Sequence, residues 1–193
     1  MNQWWQYWKG YFPVSSCKKI VEQSLLLPPS VGKIGHGMKN LIEDKNVRVS
    51  QVRWLNRLDL NFMSLFNTIE QLFHDANKNA FGFDITRFNE IQFTEYDSAN
   101  SGHYSWHQDT SWTTPALYRR KLSMVIQLSD SSDYTGGDFE VDTKTCLEAP
   151  NAEDIRAIGT VIVFPSFLLH RVTPVTAGIR HSLVIWMEGP PFK

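Results

Sequence analysis

After residue 80 the chain alternates between short strand-like runs and turn-forming residues, and this alternation restricts the possible folds more than any other feature. The runs are rich in β-branched and aromatic residues, and Gly, Asn, Asp and Ser cluster between them. The runs cover residues 87–96, 104–108, 121–128, 138–141, 159–164, 170–174 and 180–187. Many short strands at fairly regular spacing predict a closed barrel or a two-sheet jelly roll.

The first part of the chain adds helices to this pattern. Residues 15–27 predict a short helix that begins at a Ser15 or Ser16 cap and ends before two prolines. In residues 59–77 apolar side chains recur at intervals of three and four, which predicts an amphipathic helix with Asp59 as its cap. Residues 47–55 have the composition of a strand.

These elements predict a mainly β fold with flanking helices, a double-stranded β-helix or jelly roll. We expect one domain over residues 1–193, with helical support in about residues 1–80 and the jelly-roll core in about residues 81–193. No linker of distinct composition separates the two parts, so the sequence gives no reason to divide the chain.

Charge and cysteine content limit the partners. Lys and Arg number 19 against 20 Asp and Glu, which gives a formal net charge of −1. A balanced chain lacks the broad positive field of non-specific nucleic-acid binders, so no nucleic-acid partner is expected. Cys17 and Cys146 form no CxxC motif, and the sequence does not decide whether the two form a disulfide. The sequence shows neither a signal peptide nor an apolar run of about 20 residues, so we expect a cytoplasmic protein without a membrane span.

A His-x-Asp pair is the first candidate for chemistry. On an extended chain His107 and Asp109 point to the same face, so both could reach one ion. His170, which follows an apolar stretch, is the best third ligand. Two histidines and one carboxylate are typical of non-haem Fe(II) oxygenases, whereas closed zinc sites have four ligands. Alternatively, the pair occurs by chance and the histidines are hydrogen-bonded structural residues.

An arginine ten residues beyond His170 favours the metal interpretation. On a strand, Arg180, Ser182 and Val184 share one face. If this face points into the barrel, the buried guanidinium requires an anion. The planar fork of Arg180 suits a carboxylate, and Ser182 offers a further hydroxyl donor.

Further motifs accompany these residues in a fixed order along the chain. They are Arg48-x-Ser50-(x3)-Trp54-Leu55, Tyr96-(x5)-Gly102-His103-Tyr104-(x2)-His107-Gln108-Asp109, Lys121-Leu122-Ser123-(x3)-Gln127-Leu128, Tyr134-Thr135-Gly136-Gly137-Asp138-Phe139 and Phe164-Pro165-Ser166-(x3)-His170-(x2)-Thr173-Pro174. The ordered set resembles the Fe(II)- and 2-oxoglutarate-dependent dioxygenases, and in particular their prolyl-4-hydroxylase-like branch with the PKHD-type hydroxylases. The resemblance covers most of the chain.

The resemblance implies a role for each candidate residue. The iron ligands would be His107, Asp109 and His170, and the contacts to 2-oxoglutarate would be Arg180, Tyr96, Ser182 and Ser123. The substrate-pocket candidates are Tyr104, Trp106, Trp112 and Gln127. Several relatives have a tyrosine at the position of Gln127 that contacts the distal carboxylate, so Ser123 or Ser182 is expected to replace that contact. Trp106, Trp112 and Tyr118 form either an aromatic wall for a peptide or ordinary packing at the barrel mouth.

The resemblance also implies the reaction. Its cofactors would be Fe(II), 2-oxoglutarate and O2, with ascorbate as a reductant for stray oxidised iron. The expected activity is hydroxylation of a protein or peptide side chain, a prolyl side chain in the first place. Two alternatives stay open: the same chemistry on a small molecule or a nucleobase, and a non-catalytic jelly-roll module that binds a metal. The sequence does not indicate an oligomeric state.

Overall fold

The computed structural model describes residues 3–35, 41–112, 117–144 and 148–192. The strands in these ranges are β1 (Gln6–Trp8), β2 (Ser30–Val31), β3 (Arg48–Val49), β4 (Gln51–Asn56), β5 (Glu90–Asp97), β6 (His103–His107), β7 (Arg119–Gln127), β8 (Tyr134–Gly136), β9 (Phe139–Val141), β10 (Val161–Pro165), β11 (His170–Val172) and β12 (Val175–Gly189). The α-helices are α1 (Val14–Leu25), α2 (Met63–Ala76) and α3 (Ala152–Arg156), and a π-helical turn (Asn77–Phe81) continues α2. None of the helices in the described ranges is long and apolar enough to cross a membrane.

The strands form two antiparallel sheets, and the predicted mainly β jelly roll is confirmed. In the larger sheet the strand order is β1-β10-β7-β12-β5-β4-β2, and β8 pairs with β12 outside this path. In the smaller sheet the order is β3-β6-β11-β9. All of these pairings are antiparallel, as in a double-sheet jelly roll.

The main core lies between the larger sheet and helices α1 and α2. Strand β7 shows how the sequence divides its two faces, because successive side chains of a strand point to opposite sides. Leu122, Met124 and Ile126 pack in one buried cluster with apolar residues of α2 such as Phe66 and Phe73. The alternating residues of the strand therefore point into the space between the two sheets. That space holds the candidate site.

Both predicted helices form, but their predicted caps are wrong. Helix α1 begins at Val14, directly after Pro13, and neither Ser15 nor Ser16 caps it. The proline ring already fixes the backbone at this point and requires no hydrogen-bond partner. Helix α2 begins at Met63, and the Asp59 side chain instead accepts a hydrogen bond of 2.9 Å from the backbone N–H of Asn61 in the preceding turn.

The first part of the chain contributes strands as well as the predicted helices. Strand β1 pairs with β10 and β4 pairs with β5 in the larger sheet, whereas β3 pairs with β6 in the smaller sheet. The predicted strand over residues 47–55 is thus divided at the buried residue Ser50, where the chain passes from one sheet to the other. This crossing places Arg48 in the smaller sheet beside the candidate site. The extent of the domain stays a prediction, and Cys146 lies outside the described residues.

Candidate metal centre

Three side chains with metal-binding atoms meet between the sheets, and they are the three singled out from the sequence. The ligand atoms of His107, Asp109 and His170 all lie within 4.8 Å of one another. Nε2 of His107 is 3.5 Å from Oδ1 of Asp109, and Nε2 of His170 is 3.6 Å from Oδ2 of the same carboxylate. No second cluster of three such groups occurs within the ranges that the structure describes.

The two histidines come from neighbouring strands of the smaller sheet. His107 of β6 lies opposite His170 of β11, but Val172 of β11 lies opposite Tyr104. Between these two pairs β6 contains one residue more than β11, which is a β-bulge. Because of the bulge, Tyr104 and His107 both line the cavities at the site, whereas Trp106 does not. The Tyr104 ring stacks on the His107 ring, with 3.5 Å between the ring centroids.

Asp109 lies beyond the end of β6, in a loop that the turn after β10 holds in place. Its backbone N–H donates a hydrogen bond of 2.8 Å to the carbonyl of Ser166. The side-chain amide of Gln108 donates another, of 2.7 Å, to the carbonyl of Phe167. Loop geometry therefore brings Asp109 beside His107, and not the alternation along a strand from which the pair was predicted.

Backbone carbonyls determine which nitrogen of each histidine is free to bind a metal. Nδ1 of His107 lies 2.8 Å from the carbonyl of Ser105, and Nδ1 of His170 lies 2.8 Å from the carbonyl of Leu168. A carbonyl only accepts hydrogen bonds, so each Nδ1 carries the proton. Each Nε2 is left with a lone pair directed toward the carboxylate. Such an outer hydrogen bond is typical of histidines that bind metals.

The charge states of the cluster also suit a metal. Burial opposes ionisation of Asp109, but His170 and His107 outweigh it and hold the pKa of this carboxyl well below its usual range. Burial, together with His107, lowers the pKa of His170 to about 4. At neutral pH the cluster therefore presents a carboxylate and a neutral imidazole at His170, which are the forms that bind metal ions.

Ser123 lies behind the carboxylate, which differs from its expected contact to 2-oxoglutarate. Its hydroxyl donates a hydrogen bond of 2.7 Å to Oδ2 of Asp109 and lies 2.9 Å from the hydroxyl of Ser166. Ser123 lines neither of the two cavities at the site. The resemblance implied a contact of Ser123 to 2-oxoglutarate, whereas its hydroxyl contacts Asp109 in the structure.

Arg180 extends from β12 into a small pocket on the inner side of the ligands. Its side chain is only 3% exposed, and it forms no hydrogen bond or ion pair with any residue that the structure describes. Gly137 adopts a φ of +63°, and a Cβ atom there would lie 3.1 Å from Cδ of Arg180. A side chain at residue 137 would therefore crowd the arginine and adopt a strained backbone conformation.

Two of the residues expected to contact 2-oxoglutarate lie near Arg180. Ser182 and Tyr96 line the same pocket, which measures about 30 Å3. The buried hydroxyl of Ser182 has no hydrogen-bond partner among the described residues, and burial raises the pKa of the Tyr96 phenol. Gln127 does not line the pocket, and its amide donates a hydrogen bond of 2.9 Å to the Tyr134 hydroxyl. Gln127 therefore packs behind the pocket, contrary to its expected place in a substrate site.

A much larger cleft of about 860 Å3 opens outward from the ligands. The cleft and the small pocket share Arg48, Gln92, Tyr104, His107, Asp109 and Trp186. The metal-binding atoms therefore lie where the two cavities meet. An ion bound there would have a small space on one side and a much larger one on the other.

Two of the four aromatic residues that line the cleft, Tyr104 and Tyr118, are among those singled out from the sequence. Trp106 packs under Arg171, at 4.7 Å from guanidinium to ring centroid, and lines neither cavity. Trp112 also lies outside both and packs 5.3 Å from Phe192, centroid to centroid. The aromatic lining instead comes from Trp54, Tyr104, Tyr118 and Trp186. For Trp54 the sequence did hold a signal, since the resemblance included its strand.

Comparison with known proteins identifies the sequence family. A family model described as the 2OG-Fe(II) oxygenase superfamily matches residues 91–188, a segment with all three candidate ligands and Arg180. A PKHD-type hydroxylase from Teredinibacter turnerae is 34% identical over 93 residues, which are 47% of this chain and 39% of the relative. The match thus spans about two-fifths of the relative's length.

Solved structures share the fold at low sequence identity. A prolyl-4-hydroxylase from Pseudomonas putida gives a TM-score of 0.71 at 19% identity, over 98% of this chain and 94% of that chain. A prolyl hydroxylase from Trichoplax adhaerens, in complex with a peptide fragment of the hypoxia inducible factor oxygen degradation domain, gives 0.74 at 16% identity, over 96% and 83%. At these identities the likeness demonstrates the common jelly-roll architecture.

Proposed function

Because the chain belongs to the 2OG-Fe(II) oxygenase superfamily, we propose that it is a 2-oxoglutarate-dependent dioxygenase that hydroxylates a protein or peptide side chain, namely that of proline. The family uses Fe(II), 2-oxoglutarate and O2. One observation carries the proposal. The His107, Asp109 and His170 cluster lies between a pocket with an unpaired arginine and a cleft of about 860 Å3.

The donor set fits Fe(II). Two imidazoles and one carboxylate suit this ion and leave coordination positions open for other molecules. His107 and His170 present Nε2 because their Nδ1–H groups donate to backbone carbonyls, and Ser123 holds the carboxylate of Asp109. When bound there, Fe(II) together with 2-oxoglutarate and O2 supplies the oxidising chemistry that converts a C–H bond into C–OH.

The small pocket is our proposed site for the far carboxylate of 2-oxoglutarate. The guanidinium of Arg180 is buried without a described anion, and the hydroxyl of Ser182 is buried without a described partner. A carboxylate bound to both would satisfy the charge and the hydrogen-bond donor together. The pocket measures about 30 Å3 and adjoins all three candidate ligands.

The cleft supports a peptide as the second substrate. Its volume of about 860 Å3 lies within the range of cavities that enclose drug-sized ligands, roughly 300–1,000 Å3. Trp54 is 42% exposed and offers a flat surface, which suits packing against a prolyl ring or an extended backbone. The neighbour from Trichoplax adhaerens is a prolyl hydroxylase in complex with a peptide fragment, which agrees with this choice of substrate.

The test is co-substrate turnover with a panel of candidate substrates. The protein is supplied with Fe(II), 2-oxoglutarate and ascorbate, and succinate is measured with proline peptides, free amino acids or nucleosides. We expect proline peptides to stimulate turnover, and mass spectrometry to show one added oxygen atom on the prolyl residue. The Asp109→Ala variant is the matched negative control.

Two results contradict the proposal at different levels. If a free amino acid or a nucleoside stimulates turnover while every proline peptide leaves it at background, the peptide assignment is wrong and the iron chemistry stands. If iron-loaded protein forms no succinate under any condition, the enzyme assignment itself is wrong. A non-catalytic metal-binding module then becomes the better description.

A further inference from the structure

Eight of the nine arginines of the chain fall into two groups according to their partners. Five of them form ion pairs with carboxylates: Arg53 with Glu95, Arg57 with Glu70, Arg87 with Glu188, Arg156 with Asp138 and Arg171 with Glu140. Arg48, Arg120 and Arg180 form no ion pair with a described residue, and all three line the cavities at the metal centre. The residues outside the described ranges include no Asp or Glu. The arginines without a carboxylate are thus concentrated at the candidate site.

The proposed cofactors neutralise only one of these three charges. Fe(II) and Arg180 together bring three positive charges, and Asp109 and the two carboxylates of 2-oxoglutarate bring three negative charges. The loaded centre is therefore neutral overall. It has no surplus negative charge to balance Arg48 and Arg120.

The rest of the cleft does not balance them either. Its other charged side chains are Lys33, Arg119, Glu90 and Glu188, two of each sign. Glu188 is moreover shared with Arg87, at 3.7 Å. The loaded cleft consequently has an excess of two positive charges, both guanidinium groups. A partly desolvated cation without a counter-ion is costly, and an anionic ligand would remove that cost.

Arg48 is held in a fixed position toward the cleft. Its Nε donates a hydrogen bond of 2.9 Å to the Ser50 hydroxyl, and Nη1 donates one of 3.3 Å to the Lys33 carbonyl. Its guanidinium lies 4.7 Å from the centroid of the Tyr104 ring. A Cβ atom on Gly32 would come within 2.7 Å of Nε and 2.2 Å of the Ser50 hydroxyl, so a side chain at residue 32 would displace one of these groups. These contacts leave Nη2 without a described hydrogen-bond partner.

Arg120 is the second member of the pair and lies over an indole ring. Its guanidinium is 3.8 Å from the centroid of the Trp186 ring. The indole Nε1–H of Trp186 is itself buried and has no acceptor among the described residues. Arg120 and Trp186 both line the cleft. An acceptor group bound there would satisfy a charge and a buried N–H together.

We propose that the substrate carries a carboxylate that binds in the cleft to Arg48 and Arg120, with the Trp186 N–H as a further donor. This proposal rests on the proposed function and narrows its substrate class. The hydroxylated residue then lies in an acidic stretch of peptide, with Asp or Glu close to it in sequence. The same chemistry has a second source, the free carboxylate at a peptide's own end, which the test distinguishes from an acidic side chain.

The experiment compares proline peptides that differ only in charge. Three peptides of equal length place Glu, Gln or Lys on both sides of the proline and have blocked ends. A fourth has Gln at these positions and a free carboxylate. Binding is measured by calorimetry on protein loaded with Mn(II) and a non-reactive 2-oxoglutarate analogue. A charge-assisted contact of about 1.5–3 kcal/mol predicts that the Glu peptide binds roughly ten- to hundredfold more tightly than the Gln peptide.

Variants identify the residues responsible. Arg48→Gln and Arg120→Gln should each remove most of the preference for Glu, and Arg120→Glu should shift it toward Lys. Arg171→Gln is the matched control, because Arg171 pairs with Glu140 and lines neither cavity. The preference for Glu should also weaken in high salt. The comparison of peptides on the unaltered protein does not depend on whether any variant folds.

Equal binding of the Glu and Gln peptides would overturn this inference. If both peptides are also hydroxylated, the proposed function survives that result. Tighter binding of only the fourth peptide would assign the arginines to a terminal carboxylate and overturn the acidic-stretch assignment. If no peptide binds at all, the peptide assignment of the proposed function is contradicted. Succinate formation with the wider substrate panel tests that assignment independently.

Discussion

The hydroxyl of Ser123 donates a hydrogen bond of 2.7 Å to Oδ2 of Asp109, from the side of the carboxylate that faces away from the cavities. Ser123 belongs to β7 and its partner Ser166 follows β10, and these strands are neighbours in the larger sheet. Asp109 belongs to a loop after the smaller sheet. The bond therefore connects the metal-binding carboxylate to the opposite sheet of the jelly roll and fixes its orientation.

The first prediction concerns this bond. Ser123→Ala should reduce metal affinity by about 10- to 100-fold, because loss of an outer hydrogen-bond partner of a metal ligand typically has that effect. Ser64→Ala is the matched control, since Ser64 is exposed on α2. Metal titration of both variants checks the prediction. Equal metal affinity in the two variants would show that the orientation of Asp109 does not depend on Ser123.

The second prediction concerns the ligands. His107→Ala, Asp109→Ala and His170→Ala should each reduce metal content more strongly than Ser123→Ala, because each removes a donor atom and not merely its support. The fold should persist, since the main core lies on the other face of the larger sheet. His74→Ala, on the exposed face of α2, is the control. Undiminished metal binding in all three variants would place the site elsewhere.

The third prediction concerns Arg180. Arg180→Lys keeps the charge but loses the planar fork, so the affinity for 2-oxoglutarate should fall roughly ten- to hundredfold while metal binding persists. Calorimetry on Mn(II)-loaded protein measures both quantities. Arg171→Lys is the control, because Arg171 pairs with Glu140 and lines neither cavity. An unchanged affinity would assign the carboxylate to another residue.

The fourth prediction concerns the aromatic lining of the cleft. Trp54 and Trp106 are both 42% exposed, but only Trp54 lines the cleft. Trp54→Ala should therefore raise the apparent KM for a stimulating peptide about tenfold, as loss of a buried aromatic contact often does. Trp106→Ala should leave it near the wild-type value. The reverse order of effects would place the peptide on the outer side of β6.

The fifth prediction concerns pH and a pair of residues that line neither cavity, His181 and Glu95. A hydrogen bond of 3.2 Å from His181 lowers the pKa of Glu95, and the nearby Arg53 contributes to the shift. The usual pKa is 4.5, so the stabilisation is complete above about pH 4.5 and is lost as the pH falls through the lower pKa of the folded state. Glu95→Gln should reduce the free energy of unfolding by about 1–3 kcal/mol at pH 7.

Urea unfolding at several pH values checks this fifth prediction. The difference in stability between the wild type and Glu95→Gln should shrink toward zero as the pH falls through the pKa of Glu95 in the folded state. Glu22→Gln, at an exposed position of α1, should differ little from the wild type at any pH. A difference for Glu95→Gln that stays constant with pH would mean that its cause is packing and not charge.

The sequence predicted what depends on a single regular strand. Alternation along one strand predicts a shared face for Arg180, Ser182 and Val184, and all three line the small pocket on the long strand β12. The jelly roll itself followed from the number and spacing of the strands. These features are encoded locally, so a pattern of neighbouring residues is sufficient to predict them.

The remaining features depend on pairing between distant segments. The bulge in β6 separates Trp106 from Tyr104, and it exists only because β6 pairs with β11. The break at Ser50 depends on β3 and β4 having partners in different sheets. Simple alternation along the chain predicts neither irregularity. This is why Trp106 was placed in the substrate pocket and why the position of Arg48 in the cleft was not recognised.

The register that sets His107 opposite His170 also has a consequence for the lifetime of the folded chain. The two imidazoles become neighbours only when β6 and β11 are fully paired, and these strands are far apart in sequence. An ion that requires both imidazoles binds the native state and has little affinity for partly folded states. We therefore expect bound metal to slow unfolding and to leave the folding rate nearly unchanged. Metal-loaded protein should then lose its native structure more slowly on storage or heating, but should not refold faster after denaturation.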